Sequence, residues 1–242
     1  MKSLILAVAL AALPAHAEEG SRAEQEQALR AASVDELIAR GRASLPGLGV
    51  YRVQLDAQER VGKKLQPPQT MQLWIREKPF AVRVQYVKGH AVGRKALYNT
   101  ELRTDDLRVR ESGFLGIAGA MWIGINNSLV FRDTNHAITD VGFGALLRLQ
   151  AQDMDRSKPF GGYVRTDEGW NERGRWCIRY DAPPKAVGLY AQRSHICLDP
   201  ATYLPVEMTN WDARGLLETY VFTGLEPQAD RGEVFALKSA GL

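Results

Sequence analysis

Residues 71–86 read MQLWIREKPFAVRVQY. Met71, Leu73 and Ile75 alternate with Gln72, Trp74 and Arg76. After Lys78-Pro79, Val82, Val84 and Tyr86 alternate with Arg83 and Gln85. A period of two places each set on one face of a strand, and the Lys78-Pro79 turn makes the two runs a hairpin. The same alternation stands upstream, where Tyr51, Val53 and Leu55 interleave with Arg52, Gln54 and Asp56 until Pro67-Pro68 breaks it. Gly93 to Asn99 and Leu107 to Glu111 read as two further strands. Beyond residue 160, strands are expected over 162–167, 174–181, 187–198, 205–211 and 217–223, with Asp212-Ala213-Arg214-Gly215 as a hairpin turn. Many short strands with turn signals between them indicate an antiparallel meander or open barrel.

Two segments change the period. Ser33-Val34-Asp35-Glu36 is a capping box that starts a helix over 34–44, with Pro46 and Gly47 as its stop. Ile138, Val141, Ala145 and Leu149 recur at helical spacing, with Leu146 and Met154 nearby, and predict a helix over 139–154 capped by Thr139 or Asp140. Gly142 and Gly144 weaken that helix by roughly 1 kcal/mol each against Ala, and let it approach a sheet closely. The expected fold is therefore mainly β, of the α+β class. One strongly curved antiparallel sheet or open half-barrel over 33–225 wraps around two or so helices. Residues 226–242 read as a C-terminal tail, and the polar stretch 18–32 as frayed helix or disorder.

The chain begins MKSLILAVALAALPAHA. Lys2, the apolar run Leu4 to Leu13, Pro14 and Ala15-His16-Ala17 form a secretory signal peptide over 1–17, cut after Ala17. Ten apolar residues are half of the ~20 that span a bilayer, so a membrane anchor is not expected. The style of this leader fits a Gram-negative bacterium and a periplasmic destination. Apolar residues make up 45% and charged residues 24% of the 242, an ordinary globular composition that excludes disordered and collagen-like chains. Lys plus Arg number 31 against 28 Asp plus Glu, dispersed without a long basic block. Nucleic-acid binding is not expected.

Cys177 and Cys197 are the two cysteines, and an even pair in an exported chain is expected to be bonded. An antiparallel pairing whose partners sum to 374 sets Cys177 opposite Cys197, Arg175 opposite Asp199 and Asp181 opposite Arg193. The other face then carries Trp176 against Leu198 and Ile178 against Ile196. The disulfide falls on the outer, polar face, away from any cavity.

A search for catalytic constellations is nearly empty. His90, His136 and His195 lie outside H-E-x-x-H or any cysteine spacing for zinc, and G-x-S-x-G and G-x-x-x-x-G-K-[ST] loops are absent. No metal or cofactor is expected. His136 with Asp140 can be a base and its orienter, or can fix the entry to the second helix, and the latter is the expectation. Glu59 and Glu77 can be paired carboxylates or surface charges, and His195 falls opposite Arg179 on a polar face. Residues 113–125, GFLGIAGAMWIGI, are uncharged with four glycines. They read as a buried strand pair or turn, or as an apolar loop that touches lipid or a partner. The five tryptophans read as packing or as cavity lining. A sheet of about ten strands has more apolar face than two short helices cover. The remainder is expected to be a pocket for an apolar ligand.

Pro79-Phe80, then Gly93-Arg94-Lys95-Ala96-Leu97-Tyr98, then His136-Ala137-Ile138-Thr139-Asp140-Val141-Gly142 resemble a family of exported bacterial proteins known as a domain of unknown function. The resemblance covers roughly 45–225, and Glu59 with Gly62 and Leu204-Pro205-Val206 also fit it. The strand–helix–strand order is similar to that of periplasmic lipoprotein-localisation carriers, in which a curved sheet wraps helices that plug an apolar cavity. What the resemblance implies is capture of acyl chains rather than catalysis, with no catalytic residue to carry over. The expected function is a periplasmic binding or carrier protein, a monomer holding a lipid or lipidated partner. The lining is expected from Met71, Leu73, Val82, Val84, Tyr86, Leu97 and Trp122, with 113–125 at the mouth. The alternatives are an envelope hydrolase using His136 and Asp140 with Glu59, and an envelope-stress sensing module with a protein partner.

Overall fold

The computed structural model describes residues 16–229 and 232–242, so residues 1–15 of the expected signal peptide lie outside the described residues. Two helices come first, α1 (His16–Ala31) and α2 (Val34–Leu48). Next come β1 (Val50–Val61), the short β2 (Lys64–Leu65), β3 (Gln69–Arg76), β4 (Ala81–Lys88), β5 (Lys95–Asn99), β6 (Asp106–Arg110) and β7 (Met121–Gly124). Helix α3 (Phe143–Ser157) crosses to a second meander of β8 (Val164–Trp170), β9 (Trp176–Asp181), β10 (Arg193–Leu198), β11 (Pro205–Asp212) and β12 (Gly215–Gln228), followed by α4 (Leu237–Ala240). The strand order is β7-β6-β5-β4-β3-β1-β12-β11-β10-β9-β8, antiparallel throughout and unclosed, with β2 paired to β1 alone. The expected curved, open sheet around helices is the architecture found.

The two meanders meet where β1 pairs with β12, from Val50↔Gln228 to Glu59↔Glu218 across a bulge at Arg52/Gln54. The alternation read from 51–86 selects the concave face. Tyr51, Val53, Leu55, Leu73, Ile75, Val82 and Val84 join one core with Ile38 of α2 and with Phe143 and Leu147 of α3. On the second meander Trp176, Ile178, Tyr180, Ile196 and Leu198 pack on Leu29, Ala32 and Leu37.

Several boundaries differ from expectation for local reasons. Helix α2 runs on through Pro46 to Leu48, because Leu45 and Leu48 in its last turn pack on the core. Helix α1 takes up nearly all of the stretch 18–32. Two carbonyls at its end, those of Leu29 and Ala32, accept from the Arg165 guanidinium, which is how a cation satisfies a helix C-terminus. The helix expected over 139–154 begins only at Phe143, after a short 3-10 turn at Ile138–Asp140. Gly142 stands between them at φ 106°, a conformation side chains with a Cβ rarely adopt. A Cβ at Gly144 would lie 2.3 Å from Glu77 Oε2, so these glycines let α3 meet the sheet edge-on. Neither Thr139 nor Asp140 caps α3. Its first N–H groups donate to Tyr51 Oη (Phe143 N, 3.1 Å) and Glu77 Oε1 (Gly144 N, 3.2 Å).

The stretch read as a C-terminal tail extends β12 to Gln228, and then covers the convex face. There Phe235 and Ala240 bury Val50, Ala81 and Leu97. Strand β10 starts only at Arg193, because residues 183–192 form the connection that leans over α3, where Tyr190 N donates to Asp153 Oδ1 at 3.0 Å.

The register about residue 187 is as read. Cys177↔Cys197, Trp176↔Leu198, Ile178↔Ile196 and Asp181↔Arg193 are all partners. Cys177 and Cys197 form a disulfide, Arg175 pairs with Asp199, and Arg193 Nε meets Asp181 at 2.6 Å. The bond closes a separation of 20 residues. On the chain-entropy account a loop of that size stabilises by about 3 kcal/mol. A Cys177→Ala/Cys197→Ala variant is expected to lose about that much in urea denaturation, while titration of the native wild type finds no free thiol.

Candidate functional site

Between the concave face and the segment from Leu129 to Leu146 lies a cavity of about 400 Å³. Its walls come from Leu55 of β1, Met71 and Leu73 of β3, Val84 and Tyr86 of β4, and Ala96 of β5. Leu107 and Val109 of β6, Met121 and Ile123 of β7, and Tyr220 and Phe222 of β12 complete them. Ile138, Val141 and Leu146 close it from the helix side. Ala118 and Met121 bring the 113–125 stretch to its rim, beside Leu129, where that stretch forms a 3-10 turn at Gly113–Ala118 followed by β7.

Of the expected lining residues, Met71, Leu73, Val84 and Tyr86 line the cavity. Val82 shares their face but is buried further along the core. Leu97 does not line it: it pairs with Arg83 across β4–β5 and faces the convex side, under Phe235. Trp122 does not line it either. It pairs with Arg108, and its ring lies beneath the guanidinium groups of Arg103 (4.4 Å) and Arg108 (5.4 Å). Apolarity marked both residues, and strand parity puts both on the other face.

The motif residues divide between scaffold and site. Pro79 and Phe80 form the β3–β4 turn, with their carbonyls accepting from Arg76 and Thr100. The Phe80 ring leans on Tyr98, whose hydroxyl donates to Thr104 O. Gly93 turns the chain at φ 90° and donates its N–H to Tyr86 O. Asp140 is held by Arg148 of α3 at 2.8 Å. Asp140 and Gly142 reach the cavity wall as well, and Arg94 and His136 belong to its polar part.

These two residues anchor a polar belt carried by residues 132–136. Arg94 donates through Nη1 to Asp133 (2.9 Å) and through Nε to Glu111 (2.9 Å). Thr134 Oγ1 and Asn135 N donate to the Glu59 carboxylate at 2.9 and 2.7 Å. His136 Nε2 meets Glu218 Oε2 at 2.9 Å. Tyr190 Oη, from the 183–192 connection, donates to the same oxygen at 2.5 Å, and Asn210 Nδ2 donates to Oε1 at 2.7 Å. The short segment thus laces the ends of the strands together over the cavity.

Glu59 and Glu218 are directly opposed across β1–β12. Two like charges facing each other in a sheet repel, and burial makes each charge costlier still. Glu218 is fully buried. Burial pushes its pKa up, but hydrogen bonds from His136, Tyr190 and Asn210 outweigh this and hold it below the usual value. Burial dominates at Glu59 and pushes its pKa up, against the Asn135 N–H and the His136 charge. Burial alone would lower His136, but Glu218, then Glu59 and Asp140, raise it overall. Burial, with Glu218 next, likewise drives the hydroxyls of Tyr190 and Tyr220 upward, so both stay protonated donors.

The expected Glu59 and His136 are therefore brought together, whereas Glu77 is away at the α3 N-terminus. Glu218 and Tyr190 were missed. Glu218 carries a signal, since on β12 it alternates in phase with the inward Tyr220 and Phe222. Tyr190 carries none, because it reaches the site from a loop. Glu59, His136 and Glu218 place one ligand-type atom each within 4.8 Å of one another, a donor set suited to a divalent cation, in which His136 bonds Glu218 while Glu59 accepts from Thr134 and Asn135. Cys177, His195 and Cys197 also cluster, but the sulfurs are committed to the disulfide, and His195 Nε2 pairs with Glu168 at 3.1 Å.

An unclosed antiparallel sheet curled over helices, with an apolar cavity in its concave side, defines a class of cavity-bearing half-barrels. Within that class, residues 49–232 match the model of the family described as "Protein of unknown function (DUF1571)", and the chain belongs to it. No curated protein matches the sequence. Among solved structures, it is similar to an uncharacterized conserved protein from Thermus thermophilus, with TM-score 0.48 and 10% identity over 84% of this chain and 93% of that one. A putative outer membrane lipoprotein-sorting protein domain from Vibrio parahaemolyticus gives TM-score 0.45 and 13% identity, over 86% and 97%. The Mycobacterium tuberculosis lipoprotein LppX gives 0.44 and 14%, over 82% and 99%.

Removing His136 strips Glu218 of one of its buried partners, a change that costs about 3 kcal/mol or more. A His136→Ala variant is expected to melt roughly 6–12 °C lower. The pH dependence follows from the raised His136 pKa. Its contribution is fully present below about pH 6.5 and is lost as pH rises through the higher folded value. Urea melts of the wild type should weaken across that window, and His136→Ala should lack this slope.

Proposed function

We propose that this chain is a non-catalytic carrier that holds an acyl-type ligand in the cavity beneath its curled sheet. The observation that carries this reading is the cavity wall. It is built from apolar side chains of seven strands and the α3 segment, with its ionisable groups gathered in one belt. Within that belt Glu59, Glu218 and Arg94 each have several protein partners, and Asp140 is turned to Arg148 rather than to His136. The arrangement supports burial of a hydrocarbon more readily than proton transfer to a substrate. The disulfide supports residence where thiols are oxidised, in keeping with the expected periplasmic destination. A free lipid and the acyl chains of a lipidated protein present the same chemistry to these walls.

Each methylene removed from water contributes about 0.8 kcal/mol, or roughly fourfold in affinity. Fatty-acid probes of increasing length, titrated by displacement of a fluorescent acyl reporter, are expected to tighten by about that factor per carbon until the cavity is full. Met71→Glu, which sets a charge in the wall, should weaken every member of the series at least tenfold. Native mass spectrometry of protein from periplasm should find co-purifying lipid. Flat affinity along the series, or turnover of envelope extracts that is lost in His136→Ala, would replace the carrier by an enzyme.

A further inference from the structure

The rim of the cavity carries its own apolar surface. Phe114 is 86% exposed and Ile117 78%, both on the 3-10 turn, and Met121 and Leu129 beside the opening are also exposed. Val92, 53% exposed, stands on the neighbouring β4–β5 turn, where a Cβ at Gly93 would lie 3.5 Å from Ser112 Cβ. Exposed apolar clusters of this kind mark interaction surfaces.

The charges around this rim are sorted by sign. Lys88, Arg110 and Arg132 are exposed. The acidic groups beside them, Glu111 and Asp133, are less exposed and are shared between Arg94 and Arg132, while Lys88 and Arg110 make no ion pair among the described residues. The outward charge at the mouth is thus cationic, and the apolar side chains stand among it. A protruding apolar tip within a basic ring fits the boundary between anionic headgroups and acyl chains. It is also continuous with the cavity wall through Met121 and Leu129, which line both.

We propose that the cavity mouth is a membrane-docking face for a bilayer rich in anionic lipid. Phe114 and Ile117 enter the headgroup–acyl boundary, and Lys88 and Arg110 rest on headgroup phosphates. This rests on the carrier reading, for which it supplies the route of entry: a chain leaving the bilayer meets apolar side chains without a break from the rim to the cavity.

The test is co-sedimentation with vesicles of phosphatidylcholine alone and of phosphatidylcholine mixed with phosphatidylglycerol. Two cations at about 1 kcal/mol each correspond to roughly thirtyfold tighter binding to the mixed vesicles, weakened by salt. Phe114→Asp/Ile117→Asp, at exposed positions, should abolish sedimentation while binding of the fluorescent acyl probe in solution is unchanged. Lys88→Glu/Arg110→Glu should remove the preference for anionic vesicles. Met71→Glu should lose the probe and still sediment. Wild type remaining in the supernatant with mixed vesicles, or Phe114→Asp/Ile117→Asp sedimenting as wild type does, overturns the proposal and leaves the patch to a protein partner. Probe binding absent while sedimentation remains sensitive to the rim variants overturns the carrier reading alone.

Discussion

The pairing of β1 with β12 is the constraint on which the rest depends. Each meander is a run of local hairpins that could exist as a separate sheet. Joined through the long central pair, they become one surface that curls far enough to enclose a cavity. That same pair sets Glu59 against Glu218, in phase with the inward apolar residues of both strands. The central seam of the protein is thus also its greatest electrostatic liability. His136 answers it. It is lodged beside the two carboxylates, whose charges raise its pKa, and it hydrogen-bonds Glu218, while Thr134, Asn135, Tyr190 and Asn210 satisfy the remaining lone pairs.

This arrangement separates two demands that compete in a sheet curled around a cavity. A cavity for hydrocarbon is stabilised by ligand but costs packing when empty, since its wall atoms lack partners. Here the polar belt, gathered in one part of the wall, and the α3 contacts hold the opening. Residues 132–136 tie β1, the start of β5 and β12, and Glu77 with Tyr51 fixes the start of α3 by accepting its first N–H groups. The shape of the cavity is therefore held by hydrogen bonds and ion pairs in its polar part, and the strand walls away from it are free to be apolar.

Much of this was legible in residue order. Alternation over 51–86 marked the strands, and parity over 71–86 put Met71, Leu73, Val84 and Tyr86 on the face that borders the cavity. The cysteine spacing gave the β9–β10 register residue for residue, because a disulfide, two ion pairs and two apolar pairs all agree only at a sum of 374. What was not legible has a common cause. Leu97 and Trp122 are apolar residues on the convex face, one hidden by Phe235 and the other beneath two arginines, and hydrophobicity does not say from which side a residue is covered. Helix α1 is polar along most of its length and owes its place to Leu29, Ala32 and the distant Arg165. Tyr190 reaches Glu218 from a loop, a contact no periodicity encodes.

The order of strands also has a consequence in time. Strand β1 is synthesised before every other strand and β12 after them, with the whole of both meanders between the two. An exported chain emerges N-terminus first, so β1 waits for its partner until every other strand has followed. One of its edges is satisfied early by β3, the next full strand, while the other presents a long row of unpaired amides and carbonyls until β12 has been made. Such an edge is a template for pairing with other chains. Folding of this protein is thus gated by the arrival of its last strand, and its period of greatest vulnerability falls before it has any cavity to fill.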